Sequence, residues 1–239
     1  DLYQRPYDRY LHMLRDKLAL KSNTIVEETD LEKVIMELEK AASSKNENLR
    51  LEILQKCLGT LISLEEPPYY NDPAKDLVKE EAEKERIKYE QRKLYLYKQK
   101  KLVAGEISKT AYDFDLTDIA TRAAQYVIDD TWDVKNASEM ILNQAECCYI
   151  FALCRIDQLL KDNFEIAFTD PIRTNPDEQE PEEEPLSQKK LEQILQWKNE
   201  IIDHFIKGLK LSESIGQTWL IFNGAIYIWN NYLDRKSVV

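Results

Sequence analysis

Side chains that titrate near neutrality, grip a metal or act as activated nucleophiles are scarce in this chain of 239 residues. Its two histidines, His12 and His204, lie far apart and lack motif partners, so general acid–base chemistry is without its commonest agent. His204 stands one place before Phe205, in an apolar-periodic stretch, and reads as a helix-surface or hydrogen-bonded polar residue rather than a ligand. Cys147, Cys148 and Cys154 follow one another at steps of one and six, unlike the paired C-x-x-C knuckles of structural zinc sites. With Cys57 they sit among apolar neighbours and read as free thiols packed in a core, the habit of a reducing compartment. Neither Asp129 with Asp130 nor Glu182 to Glu184 follows the alternating oxygen-ligand pattern of a calcium loop. GxGxxG and GxxxxGK[ST] loops are absent. The expectation is a non-enzyme without cofactor or metal.

Binding chemistry is better represented. Between Arg86 and Lys101 the chain carries seven basic residues, Arg86, Lys88, Arg92, Lys93, Lys98, Lys100 and Lys101, against one acid, Glu90, with Tyr89, Tyr95 and Tyr97 among them. Such a helix suits an acidic partner surface, the glutamate-rich tails of tubulin included, or the chain's own acidic stretch; the plainer alternative is a solvated outer helix. From Gly216 to Leu233 no charge occurs over eighteen residues, close to the lower limit for a membrane span. Gln217, Asn223, Asn230 and Asn231 would carry amides into hydrocarbon, at a cost that argues against spanning. The expectation is an enclosed helix, with Trp219, Phe222, Ile226 and Trp229 as structural core.

Composition sets the frame for both stretches. The chain is 43% hydrophobic and 32% charged, with a formal net charge of -11, which disfavours wholesale binding to nucleic acid or to anionic membrane. Only 5 glycines occur, so sheets with many tight hairpins have little to build on. No basic-then-apolar leader opens the chain, which begins at Asp1 without methionine and so suits a segment of a longer protein.

All eight prolines fall where the periodicity also breaks, as expected of residues that cost a helix interior about 3 kcal/mol. Helices are predicted near residues 7–20, then 30–43 behind a Thr29 and Glu32 capping box, with Leu31, Val34, Ile35 and Leu38 inward. The next, near 47–63, carries Leu51, Leu54, Leu58, Leu61 and Ile62 on one face, and Pro67 and Pro68 stop it. Asp72 and Pro73 launch a long charged helix to about Val103, ended by Gly105. Asp115 opens a helix near 116–131 with Leu116, Ile119, Ala120, Ala123, Ala124, Val127 and Ile128 as its stripe. After a break at 133–136, a helix to about Lys161 buries Ile141, Ala145, Cys148, Ala152, Ile156 and Leu159 or Leu160. Residues 170–185 hold four prolines and seven acids and read as a flexible loop. A helix from Ser187 to about Leu211 turns Leu191, Ile194, Leu195, Ile201, Ile202, Phe205 and Leu209 inward, and a last one spans about 215–233.

The predicted fold is therefore all-α, serial helical hairpins of an α-solenoid (TPR-like) segment, with a compact helical bundle as the alternative. Its expected divisions are N-terminal helices at 1–66, a proline linker and long charged helix at 67–114, a hairpin at 115–168, an acidic Pro-rich loop at 169–187 and a C-terminal hairpin at 188–239.

Two blocks carry a family resemblance. They are AAQYVIDDTWDVKNASEMILNQAECCYIFALCRIDQLL at 123–160 and HFIKGLKLSESIGQTWLIFNGAIYIWNNYL at 204–233. The most specific element is the run of Trp219, Leu220, Asn223, Gly224, Ala225, Tyr227, Trp229 and Asn230. Together they resemble the cilia- and flagella-associated protein 46 family. That resemblance implies a large, non-catalytic helical-repeat scaffold in the central apparatus of motile cilia, part of a projection on a central microtubule. Other projection proteins would be its partners, tubulin a further one, and the axoneme within the cytoplasm its place. The alternative function is a generic cytosolic helical-repeat adaptor that holds peptide ligands in a concave groove.

Overall fold

The computed structural model describes residues 30–64, 79–131, 137–161 and 188–232. Among the described residues the chain is all-α, with seven helices and no strand: α1 (Asp30–Ser43), α2 (Glu47–Ser63), α3 (Lys79–Asp113), α4 (Thr117–Ile128), α5 (Ser138–Lys161), α6 (Gln188–Ser214) and α7 (Thr218–Tyr232). The expected helix at 7–20, all eight prolines, the capping residue Thr29, the Asp72 start, the break at 133–136 and the acidic loop lie outside the described residues. The chain divides into two compact units, Asp1–Glu106 and Ile107–Val239. The division falls inside α3, a helix that the sequence assigns whole to one segment.

In the first unit α1 and α2 form an antiparallel hairpin. Val34, Ile35, Leu38 and Ala41 meet Leu54, Cys57, Leu58 and Leu61, each large aliphatic contributing about 1.5–3 kcal/mol when fully buried. The turn is held by polar chemistry. Asn46 caps α2 by accepting from the Leu49 amide at 3.2 Å, and the Arg50 guanidinium donates to the carbonyls of Ala41 and Ser44. Leu51 and Ile62, expected inside, are exposed. They lie on the flank of the buried stripe, about 70° and 90° round the helix from its middle and beyond Leu58 at its edge.

Gly105 does not end α3, which continues to Asp113. A mid-helix glycine costs about 1 kcal/mol relative to alanine, and the burial of Val103, Ala104, Ile107 and Ala111 around it offsets more than that. The helix stops instead in a Schellman turn. The Leu116 amide donates to Ala111 O at 2.9 Å and the Asp115 amide to Tyr112 O at 3.0 Å. Asp115 is thus no N-cap: it takes the left-handed conformation, φ 58°, that ends α3, and α4 begins at Thr117 with no side-chain cap. The same turn joins α6 to α7, with Gln217 bonded to Ser212 O, Gly216 to Glu213 O and Gly216 at φ 67°. There glycine supplies the conformation without a Cβ penalty.

In the second unit the largest helix contacts join sequence neighbours, α4 with α5, α5 with α6 and α6 with α7. This order is shared by a solenoid and an up-and-down bundle, the two architectures that the sequence left open. The α4 stripe lies as read, with Ile119, Ala120, Ala123, Ala124, Val127 and Ile128 buried. Helix α5 goes further than one face: Asn143, Gln144, Cys147, Tyr149, Ile150 and Phe151 are buried along with the expected Ile141, Ala145, Cys148, Ala152, Ile156 and Leu159. From α6, Ile194, Ile201 and Phe205 join this core, while Leu195, expected inward, is exposed because it sits about 100° round from Ile194.

The reading of α7 as an enclosed core helix is corrected. Trp219, Phe222, Ile226 and Trp229 are 49%, 64%, 51% and 59% exposed. Only the opposite face packs on the α5–α6 core, through Leu220, Tyr227 and Ile228 and the close approach of Gly224. Steps of three, four and three put the four large residues on one outward ridge. Hydropathy counts them as apolar but cannot say that, among the described residues, α7 packs on one side only.

Two stability measurements follow. Nothing lies within 4 Å of a Cβ built at Gly59, whereas one at Gly208 meets Tyr149 Cε1 at 2.5 Å. Gly59→Ala should therefore raise the urea midpoint, by up to about 1 kcal/mol of helix propensity, and Gly208→Ala should lower stability by about 1–2 kcal/mol net. Equal effects would show that the Tyr149 slot is loose. Phe205→Ala, at a side chain 1% exposed, should cost about 3–5 kcal/mol. Trp229→Ala should cost less than about 1 kcal/mol, and a larger loss in the same unfolding assay would mean that the outer ridge is covered.

Candidate interaction surfaces

Three places gather side chains with functional potential: a polar seam between α5 and α6, a titratable cluster beside the α3–α4 turn, and the outer face of α3. At the seam, Arg155 of α5 donates to Glu200 of α6 at 3.1 Å and to Gln158 at 2.8 Å. Its guanidinium also lies over the rings of Phe151 and Trp197, at 5.0 and 5.6 Å. His204 stacks on Phe151 with centroids 4.2 Å apart, and its Nδ1 lies 2.7 Å from the Glu200 carbonyl. That contact needs Nδ1–H to donate, which fixes the neutral tautomer. Burial pushes the His204 pKa below its usual value, with Lys207 acting in the same direction and the Glu200 carbonyl opposing. The histidine is thus a half-buried packing residue, as its sequence context suggests, while His12 lies outside the described residues.

The second cluster brings Tyr112, Cys154 and Asp157 together beside Asp115. Burial raises the Tyr112 and Asp157 pKa values and pushes the Cys154 thiol up to about 11. Cys57 stands at about 11 and Cys148 at about 12 for the same reason. Thiols held this far above neutrality carry little thiolate, the nucleophilic form. All four cysteines are buried thiols. Among the described residues no group of three or more His, Cys, Asp or Glu is placed to hold a metal ion, and no helix is long and apolar enough to cross a membrane.

The seven basic residues singled out in the sequence do not form one patch. Arg86, Lys88 and Arg92 are exposed, with Arg86 paired to Glu83 at 2.7 Å. Lys93 and Lys98 are half-buried. Lys100 is turned inward, its ammonium donating to the Leu64 carbonyl at 2.8 Å, and Lys101 is buried with its ammonium 5.3 Å from the Tyr97 ring centroid. Lys100 and Lys101 are therefore corrected from partner contacts to structural cations: their positions point them towards the packed side of α3. Reading along the sequence also missed Lys84, Ile87 and Leu94, all exposed. Helical spacing is the signal that finds them, since Lys84, Ile87, Lys88, Gln91, Leu94, Tyr95 and Lys98 recur at steps of three or four on one side of the helix.

The His204 geometry generates a pH dependence. Its folded pKa lies below the unfolded value of about 6.5, so the unfolded chain binds the proton more readily and stability is lost as pH falls through 6.5. Relative to His204→Gln, the parent chain should lose urea stability between about pH 7.5 and about pH 5.5. A constant difference between the two over that range would show that His204 carries no such penalty.

No family model matches the chain. Over 232 residues it is 22% identical to cilia- and flagella-associated protein 46 of Chlamydomonas reinhardtii. The aligned region takes in 95% of this chain and 8% of that protein, so the chain spans about one twelfth of the relative's length. The similarity extends well beyond the two blocks at 123–160 and 204–233, and it is that of a distant relative.

Proposed function

We propose that this chain is a structural, non-enzymatic segment of a ciliary or flagellar assembly, a helical scaffold in the central apparatus of the motile axoneme. The observation that carries this reading is the alignment with a cilia- and flagella-associated protein over 95% of the chain. The geometry supports it from a different direction. Several ionisable groups of the second unit join its helices: Lys109 pairs with Glu146, Arg155 with Glu200, and Lys207 caps Ile128. The outward faces of α3 and α7 carry large apolar residues, the usual material of protein contacts. Its partners are then neighbouring projection proteins, with tubulin a further one, met through helix surfaces rather than through a closed pocket.

Proximity labelling of the native gene product, tagged in a ciliated cell, tests this reading. Axonemal central-apparatus proteins should dominate the labelled set. A set drawn evenly from the soluble cytoplasm would remove the ciliary assignment and favour the general adaptor.

A further inference from the structure

We infer that the outer face of α3 between Lys84 and Lys98 docks an acidic amphipathic helix of another protein, with Ile87, Leu94 and Tyr95 as apolar anchors and Lys84, Lys88, Arg92 and Lys98 as the charges that orient it. This deepens the reading of the chain as a contact-making scaffold, and rests on it, by naming the chemistry of one partner.

Positions 84, 87, 88, 91, 94, 95 and 98 read Lys, Ile, Lys, Gln, Leu, Tyr, Lys, the three-and-four spacing of a single face. The stripe runs over four helical turns, a length of roughly 21 Å at 1.5 Å per residue, which matches a short partner helix. No acid falls on it; Arg92 borders it on one side and Glu83 and Glu90 on the other, with Glu83 paired to Arg86. Ile87, Leu94 and Tyr95 are 47%, 51% and 61% exposed, and Lys84, Lys88, Gln91 and Arg92 are exposed with them. The half-buried positions Tyr89, Lys93, Leu96 and Lys100 recur on the opposite side. Among the described residues the outer stripe, apart from the half-buried Lys98, is therefore the side that α3 does not use to pack.

Charge sign and apolar content together select the occupant. The chain is strongly acidic overall, at -11, and this stripe is locally cationic, so attraction favours an anionic partner at this place. Exposed charge pairs contribute little each and are screened by salt. A bare polyglutamate tail would leave Ile87, Leu94 and Tyr95 wet. A helix that sets apolar side chains over those three and acids over the flanking cations satisfies both requirements, in the manner of groove-binding helices read at i, i+3, i+4 and i+7.

The test uses the whole chain in solution and two fluorescent peptides of equal negative charge: a helical amphipathic one with leucines on one face and glutamates flanking them, and an oligoglutamate. The amphipathic peptide should bind at least about tenfold more tightly by anisotropy. Lys88→Glu with Arg92→Glu, and separately Leu94→Ser with Tyr95→Ser, should each weaken it by about tenfold or more while circular dichroism is unchanged. Equal binding of the two peptides, or indifference to either pair of substitutions, overturns the inference. So does tighter binding to phosphatidylserine vesicles than to the peptide, which would make the face a membrane contact. Binding seen only after the acids of residues 170–185 are neutralised overturns it too, because the face would then be occupied from within the chain. None of these results depends on cilia, so this assay and the proximity labelling can fail independently.

Discussion

The second unit is organised around one close fit, the Tyr149 ring lodged where α6 and α7 each present a glycine. A Cβ on Gly208 would lie 2.5 Å from the ring, and one on Gly224 would lie 2.5 Å from the hydroxyl. Removing both side chains lets two backbones approach one aromatic residue of α5, and the ring answers with edge and tilted contacts to Tyr227 and Phe205 at 5.8 and 6.2 Å. Its hydroxyl would be costly to bury alone. It meets the Ser212 hydroxyl at 3.3 Å, and Ser212 in turn donates to the Gly208 carbonyl at 2.7 Å. One side chain of α5 thereby sets the spacing of α6 and α7 together, and burial raises its own pKa while the Ser212 contact opposes the shift.

A second joint uses charge in place of shape. The last carbonyls of α4 have no partners within their own helix. The Ile128 carbonyl accepts from Gln144 of α5 at 2.9 Å and from the Lys207 ammonium of α6 at 2.8 Å, and Gln144 also reaches the Asp130 carbonyl. A cation at a helix C-terminus is favoured by the macrodipole, so Lys207 gains a partner and ties three helices in one contact. Gln144 is buried for the same purpose. These polar groups look chemically promising as types in a sequence. Their placement shows each one engaged with backbone or with an opposite charge across a helix seam.

Much of this was legible without coordinates, and the exceptions share a cause. The α4 stripe and the core side of α5 follow from period 3.6 because the inward residues are numerous and the faces distinct. Periodicity finds which residues share a face, but it cannot count neighbours. It therefore predicts α7 as enclosed while Trp219, Phe222, Ile226 and Trp229 stand outward, and predicts one buried face for α5, which is buried nearly all round. Local rules failed at Gly105 and Asp115, where burial outweighs a propensity loss of about 1 kcal/mol and a Schellman turn takes aspartate into the left-handed region. The basic run was collected by adjacency, which merges residues that helix geometry sends to opposite sides. Lys101 and Lys88 are the clearest pair, one buried and one exposed.

The two outward apolar faces differ in what they can specify. From Thr218 to Tyr232 α7 has no charged residue, so its aromatic ridge offers area without sign, and nothing about it discriminates one apolar surface from another. On α3 the anchors are fewer and smaller, but cations flank them. Apolar contacts desolvated at the centre of an interface supply most of the affinity, while charges at the rim govern approach, orientation and the rejection of like-charged partners. A chain with a net charge of -11 repels acidic proteins at a distance through most of its surface. Only where that field is locally reversed can an acidic partner approach closely enough for short-range packing to act, which makes the sign change along α3 more selective than the larger apolar ridge on α7.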